Sequence, residues 1–163
     1  MIPELPLAWT IVMNTAAWLA IHLGVSYFSS RLPLPLFRAE GWLYRTRRWE
    51  KEGRIYQAVF RIRSWKGLLP DGAALFKKGF RKKSLASRSP QYLGEFVKET
   101  CRAELCHWLV FAVVPLFFLW NPWYVALPMI PYAVATNIPC IFAQRFNRPR
   151  FRAEIRRAAP IWR

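Results

Sequence analysis

Two charged pairs at the start of an apolar stretch are the residues most suited to chemistry in this sequence. Glu99 and Arg102 are three positions apart, and so are Glu104 and His107. Side chains at that spacing meet on one face of an α-helix. A carboxylate beside a histidine fixes the tautomer of the ring and raises its basicity, as a general base requires. We therefore predict that His107 and Glu104 are catalytic, with Glu99 as an alternative partner for the histidine.

The apolar stretch that follows must be extended before it can cross a membrane. Leu105–Trp120 is apolar except for His107, but a hydrocarbon core about 30 Å thick requires roughly 20 helical residues. A span of that length begins near Cys101, which draws Arg102 and Glu104 towards or below the headgroups. Ionisable groups at such depth are costly and indicate function.

Composition and charge favour a small membrane protein with a basic face. The 163 residues are 54% hydrophobic, and 25 Lys and Arg stand against 9 Asp and Glu. The cations border long apolar segments, and the sequence has no helix-turn-helix, zinc-finger or RNA-binding signature, so we expect no nucleic-acid partner. Three cysteines without a C-x-x-C motif predict neither a disulfide framework nor a zinc cluster.

We predict an all-α membrane protein, a single domain with about three transmembrane helices and a basic amphipathic cytosolic segment. Because Lys and Arg concentrate between the first and second spans and after the third, the positive-inside rule places the N-terminus outside and the C-terminus in the cytosol. The expected spans are about 5–30, 101–120 and 123–143, with the basic cytosolic segment at 37–100 and a basic tail at 144–163.

The basic segment contains two further predicted elements and a cluster of cations. Residues 41–57 mix aromatic residues with arginines and predict an amphipathic helix on the membrane surface, whereas 59–65 alternates weakly, like a strand. The cations around Gly79 would contact anionic headgroups or grip a phosphate-bearing substrate such as an acyl-CoA. These cations are Lys77, Lys78, Arg81, Lys82 and Lys83.

One polar residue from each predicted span falls at a similar depth. At about 1.5 Å per residue, His22 lies roughly 13 Å from the cytosolic edge, His107 about 10 Å and Asn137 about 9 Å. Such groups either hold the spans together by hydrogen bonds or form a site, and the nearby Glu104 favours a site around His107. Two histidines and a glutamate leave a metal site open as an alternative, but no second histidine follows at helical spacing, and we predict none.

Five long motifs, in this order, resemble the glycosyl-4,4'-diaponeurosporenoate acyltransferase family. They are WKGLLPDGA, KKGFRKKSL, YLGEFVKETCRAELCHW, FFLWNPWYVALPMIPYA and NIPCIFAQRFNR. Two mild departures from the family pattern, CRAELCHW for CRGEL-x-HW and Phe146 for tyrosine, leave the polar residues intact. The resemblance implies a bacterial cytoplasmic-membrane enzyme of carotenoid glycoester synthesis. Such an enzyme moves a fatty acyl group from acyl-CoA or a similar donor to a sugar hydroxyl of a lipid-linked glycoside, without a further cofactor.

This resemblance implies roles but brings no defined catalytic motif. His107 would take the hydroxyl proton, and the arginines would stabilise the oxyanion or bind donor phosphates. Neither histidine begins an H-x-x-x-x-D motif, and G-x-S-x-G is absent from the sequence. Besides the five cations above, the residues predicted to bind substrate are His22, Trp65, Lys66, Asp71, Arg102, Asn137, Gln144, Arg145, Asn147 and Arg148.

Two alternatives stay open at this stage. The same Glu, His and Arg cluster would serve another membrane enzyme that modifies an isoprenoid or lipid. The chain would otherwise be a non-catalytic scaffold subunit, because three short spans form a small enclosure for a lipid unless the protein is a homo-oligomer. The expected partners are membrane lipids, the glycoside acceptor and the acyl donor.

Overall fold

The computed structural model describes residues 6–70 and 85–158, and within these ranges the chain forms helices, turns and loops without a β-strand. The predicted all-α class is therefore confirmed. Short 3₁₀ turns lie at Leu34–Leu36, Arg48–Glu50 and Lys66–Leu68, and a longer one at Val114–Leu119. The α-helices are α1 (Leu7–Arg31), α2 (Arg54–Ala58), α3 (Ile62–Trp65), α4 (Pro90–Ala112), α5 (Trp123–Ala126) and α6 (Met129–Ala158).

Three helical stretches in the described chain are long and apolar enough to span a membrane, as expected for a membrane protein. They are Leu7–Arg31, Pro90–Leu119 and Trp123–Ala158. The second begins at Pro90, well before the predicted start of the span near Cys101. Ser89 caps this helix, since its hydroxyl accepts a hydrogen bond from the Tyr92 amide at 3.3 Å, and proline suits the first helical position.

The three long helices pack side by side. Helix α4 contacts both α1 and α6 and runs antiparallel to each of them. At the end near the turn between α4 and α5, Trp18 stacks on Phe117 with ring centroids 4.6 Å apart and donates to the Met129 sulfur at 3.2 Å. The buried Asn14 side chain donates to the Asn121 side-chain oxygen at 2.9 Å. These contacts fix α1 to the turn that joins the other two spans.

The opposite end of the molecule carries the connector, which we define as residues 32–70. The single amphipathic helix predicted over 41–57 is not formed; turns, a 3₁₀ turn and α2 occupy this stretch instead. Lys51, Glu52 and Gly53 all have positive φ angles of 48°, 53° and 80°. An α-helix does not continue through such a backbone.

The strand predicted over 59–65 is also absent from the described connector. Arg61 adopts a φ of 48°, which ends the extended course of the chain, and α3 follows directly at Ile62. The weak alternation in this stretch reflects a buried Ile62 between exposed neighbours rather than two faces of a sheet.

The connector approaches α6 closely at one glycine. A Cβ atom at Gly53 would lie only 3.2 Å from the Arg145 carbonyl oxygen. That carbonyl has no partner four residues later in the helix, because Pro149 lacks an amide hydrogen. The glycine thus lets the connector backbone pack against a helix carbonyl freed by proline.

Candidate functional site

The site is organised around the Glu104 carboxylate, which is fully buried in α4. One oxygen accepts hydrogen bonds from Arg145 Nε at 2.7 Å and from Trp108 Nε1 at 3.2 Å. The other accepts from an Arg148 terminal nitrogen at 2.5 Å. Two guanidinium groups therefore neutralise one carboxylate, as burial of an ionised group requires.

Both arginines also bind the connector, so the guanidinium groups that pair with Glu104 attach the connector to α6 as well. Arg148, at 1% exposure, donates to the Thr100 hydroxyl at 3.0 Å and to the Tyr44 carbonyl at 2.7 Å. Arg145 donates to the Leu43 carbonyl at 2.6 Å. With the Glu50 carboxylate as a further partner of Arg145, each guanidinium engages three protein acceptors, and contact of either arginine with an oxyanion or donor phosphates stays a prediction.

Glu50 brings a second buried carboxylate from the connector to the arginines. Its side chain accepts from an Arg145 terminal nitrogen at 2.9 Å and from the Tyr56 hydroxyl and the Arg47 amide. Burial and the hydrogen bond to Glu50 raise the pKa of Tyr56, so its hydroxyl stays protonated and donates. We call Glu50, Glu104, Arg145 and Arg148 the charge cluster.

The His107 ring lies beside Asn137 of α6. The His107 Nδ1 atom is 2.9 Å from the Asn137 Oδ1 atom. Because Asn137 Nδ2 donates to the Ala133 carbonyl and the Thr136 hydroxyl, both at 3.0 Å, its oxygen faces the histidine as an acceptor. His107 Nδ1 therefore carries the proton, and in the neutral ring Nε2 keeps the lone pair.

Of the two charged pairs in the sequence, the structure shows the first as an ion pair. The Glu99 carboxylate lies 2.8 Å from an Arg102 terminal nitrogen, and Arg102 also donates to the Leu32 carbonyl at 3.1 Å, at the end of α1. In the second pair, the Glu104 carboxylate binds the arginines of α6, and Asn137 provides the acceptor that holds His107. The orienting group was expected from the same helix and comes from the facing one.

A second polar contact joins the connector to α6. Lys66 donates to the Asn147 side-chain oxygen at 3.0 Å and lies 5.0 Å from the centre of the Phe146 ring. Burial lowers the pKa of Lys66. Trp65 donates its indole N–H to the Phe60 carbonyl at 2.7 Å. Lys66 and Asn147 are thus brought together, although neither was predicted to contact the other.

The remaining predicted residues are placed elsewhere or lie outside the described chain. His22 is half-buried in α1, with its ring centroid 5.5 Å from that of Trp18. Gln144 is half-buried on α6. Among the described residues, no group of three His, Cys, Asp or Glu side chains is arranged to hold a metal ion. The predicted residues outside the described ranges are Asp71, Lys77, Lys78, Arg81, Lys82 and Lys83.

Sequence reasoning missed three residues that complete the charge cluster or support it. Glu50, Tyr56 and Thr100 all contact its charged groups and are buried. Glu50 carried a usable signal, because a carboxylate within an arginine- and aromatic-rich segment is a natural partner for a buried arginine. Thr100 had no local signal because its partner Arg148 is 48 residues away. Tyr56 reaches the nearby Glu50 across a turn of positive-φ residues, a turn that the predicted helix over 41–57 did not include.

Together, three membrane-capable helices, a buried charge cluster and a histidine–asparagine pair define a helical membrane protein with a candidate acid–base site. The family model for glycosyl-4,4'-diaponeurosporenoate acyltransferase matches residues 40–157. A protein of that name from Staphylococcus haemolyticus is 32% identical over 140 residues, covering 85% of this chain and 81% of the relative. A relative of the same name from Staphylococcus aureus strain USA300 is 31% identical over 134 residues, covering 82% and 80%. No solved structure matches.

The chain therefore belongs to the glycosyl-4,4'-diaponeurosporenoate acyltransferase family. The expectation of an enzyme that transfers acyl groups is confirmed by these matches, and so is the resemblance seen in the five sequence motifs.

The charge cluster predicts that Glu104→Gln destabilises the protein strongly. The amide keeps the volume but leaves the buried Arg148 guanidinium without a charged partner and removes one of the two carboxylates that pair with Arg145, and we expect a loss of about 3–5 kcal/mol in the free energy of unfolding. Unfolding by sodium dodecyl sulfate in mixed micelles measures this loss. The matched control is Glu154→Gln, which removes an exposed ion pair with Arg88 at 3.8 Å and should change stability by about 0.5 kcal/mol at most. Equal losses in the two variants would contradict a stabilising cluster.

Proposed function

We propose that this protein is an O-acyltransferase that moves a fatty acyl group to a sugar hydroxyl of a lipid-linked, carotenoid-type glycoside. The donor in this proposal is acyl-CoA or a similar activated acyl compound, with no further cofactor. Family membership supports the reaction class, and the names of the relatives support the glycoside acceptor. The observation that carries the proposal is the hydrogen bond between His107 and Asn137 within the spanning helices.

In the proposed reaction, His107 Nε2 accepts the proton of the sugar hydroxyl as its oxygen attacks the acyl carbonyl carbon. The new C–O bond gives a tetrahedral intermediate, which collapses by breaking the bond to the leaving thiolate. The imidazolium then returns the proton to the thiolate, so charge and protons balance. Asn137 holds Nδ1–H and thereby keeps the lone pair on Nε2, the same function as the third member of a Cys-His-Asn triad.

The separation of polar groups along α6 supports a donor with a long arm. Asn147 lies ten residues after Asn137, which corresponds to about 15 Å along a helix. A donor whose charged head lies near Lys66 and Asn147 and whose carbonyl lies at His107 needs an extended linker between the two. Acyl-CoA has this form, and the cations of the basic segment would favour its phosphates.

The proposed location is the bacterial cytoplasmic membrane, with the connector and the C-terminus in the cytosol. The connector and the arginine-rich end of α6 lie together at one end of the helices, and the positive-inside rule assigns that end to the cytosol. We expect a C-terminal green fluorescent protein fusion to fluoresce and a C-terminal alkaline phosphatase fusion to be inactive. The reverse result would place the C-terminus outside.

The acceptor and the role of His107 can be tested in one experiment. Mass spectrometry of lipid extracts compares wild-type cells, cells without the gene and a His107→Ala strain. Both altered strains should lack one acyl group on a glycolipid and accumulate the unacylated glycoside, because general-base catalysis contributes about 10²–10⁴-fold to rate. The His107→Ala protein should still reach the membrane in normal amount. Unchanged lipids in the deletion strain would overturn the proposed function, and normal acylation in His107→Ala alone would overturn the role of His107.

Asn137 is proposed as a positioning residue, and its variants should separate orientation from folding. Asn137→Leu removes the acceptor for His107 Nδ1–H, and we expect kcat to fall about 100-fold with little change in the KM of the acyl donor. Asn137→Asp keeps an acceptor oxygen and should recover most of this loss. Steady-state kinetics in detergent, with unfolding midpoints of both variants, provides the measurement. Equal activity of the two variants would argue against an orienting hydrogen bond.

A further inference from the structure

An apolar groove lies between the end of α4 and the start of α6. Its volume is about 250 Å³, and its wall is formed by Phe111, Val114, Pro115, Phe118, Ile130 and Ala133. Polar side chains are absent from this lining, all of which belongs to the described chain. A flexible hydrocarbon chain is the kind of ligand that such a surface binds.

The groove begins where the histidine–asparagine pair ends. Phe111 is four residues after His107 on α4, and Ala133 is four residues before Asn137 on α6. Residues four apart lie on one helical face, one turn from each other. A direct hydrogen bond from Asn137 Nδ2 to the Ala133 carbonyl, at 3.0 Å, joins the pair to the groove. The polar pair and the lining of the apolar groove are therefore one helical turn apart on both helices.

The groove is firmly supported on one side and accessible from the other. Val114 and Ala133 belong to the buried apolar cluster around Trp18, so the inner wall is part of the protein core. Phe118 and Ile130 are 39% and 42% exposed. Both lie on stretches that are long and apolar enough to span a membrane, and in such a position a lipid chain can enter sideways from the bilayer.

We propose that this groove holds the hydrocarbon chain of the acyl group that is transferred. The inference rests on the proposed function and names the part of the donor that this end of the site binds. The carbonyl carbon that reacts is the first carbon of the acyl chain, so the chain must begin at the reacting centre. The groove does so, within one helical turn of His107. The tail of the glycoside acceptor is separated from its reacting hydroxyl by the sugar ring and begins further away.

The volume of the groove sets how much of the chain it holds. A methylene group is similar in size to a water molecule, which takes about 30 Å³, so 250 Å³ holds on the order of eight such groups. The first part of a long acyl chain fills the groove, and the remainder continues into the bilayer through the side opening. An acetyl group would leave the groove empty.

This difference provides the test, which uses purified full-length protein in detergent and the unacylated glycoside extracted from cells without the gene. The ratio of kcat/KM for palmitoyl-CoA to that for acetyl-CoA is measured in the wild type and in Ile130→Trp. The larger side chain fills the groove from a half-exposed position, and we expect the ratio to fall about tenfold or more, the loss for two displaced methylene groups. The matched control is Ala135→Trp, an exposed position on another face of the same helix and outside the groove lining, which should keep the wild-type ratio.

A second variant keeps the test independent of how well Ile130→Trp folds. Phe118→Ala widens the groove and should raise the rate with an acyl-CoA that ends in a phenyl group, and whose chain is short enough for the ring to lie inside the groove, relative to palmitoyl-CoA. Leu119→Ala, a neighbour that is 70% exposed and outside the lining, should not. Wild-type ratios in both Ile130→Trp and Phe118→Ala would overturn the inference and leave the proposed function intact. A raised KM for the glycoside with an unchanged donor ratio would also overturn it, by assigning the groove to the acceptor. Absence of acylated product with wild-type protein and every donor would overturn the proposed function itself.

Discussion

The pairing of the buried Glu104 carboxylate with two arginines is the interaction on which the rest of this structure depends. An ionised carboxylate in a membrane-spanning helix is costly unless opposite charges and hydrogen bonds compensate it. Arg145 and Arg148 supply both. The same arginines donate to the Leu43 and Tyr44 carbonyls. The groups that neutralise Glu104 therefore also hold the connector. These contacts keep the connector packed against α6, although the connector contains only short helices and turns.

This arrangement separates two kinds of polar residue that look alike in the sequence. The guanidinium groups of the charge cluster already engage three protein acceptors each, which favours a role in holding α4, α6 and the connector together. His107 instead contacts Asn137 through Nδ1, and this contact belongs to the candidate acid–base site. The charge cluster and the histidine–asparagine pair thus lie close together along the same two helices.

The regular rise of a helix explains which features could be predicted. The all-α class and the three membrane-capable helices follow from long apolar runs, and counting residues placed His107 and Asn137, which are hydrogen-bonded in the structure, at similar depths. The start of α4 had a local signal in the sequence, because Ser89 is a helix cap and Pro90 follows it at the first helical position. This signal decides where the helix begins, although the first turns of the helix are polar. The choice of partner for the Glu104 carboxylate had no such signal in the sequence. Glu104 could have met His107 or the arginines, and only the register of α4 against α6 decides between them.

The order of polar and apolar surfaces along α4 and α6 fits a reaction between two amphiphilic molecules. The connector end is rich in charge, His107 and Asn137 follow within the spanning helices, and the apolar groove comes next. A donor with a phosphate-bearing head and a hydrocarbon tail has the same order of polarity, with its reactive carbonyl between the two. Bound in that direction, the donor would meet the histidine without any charged group entering the apolar groove. A low dielectric makes a hydrogen bond stronger than it would be in water, so the helix packing that buries Asn137 also strengthens its hold on the His107 ring.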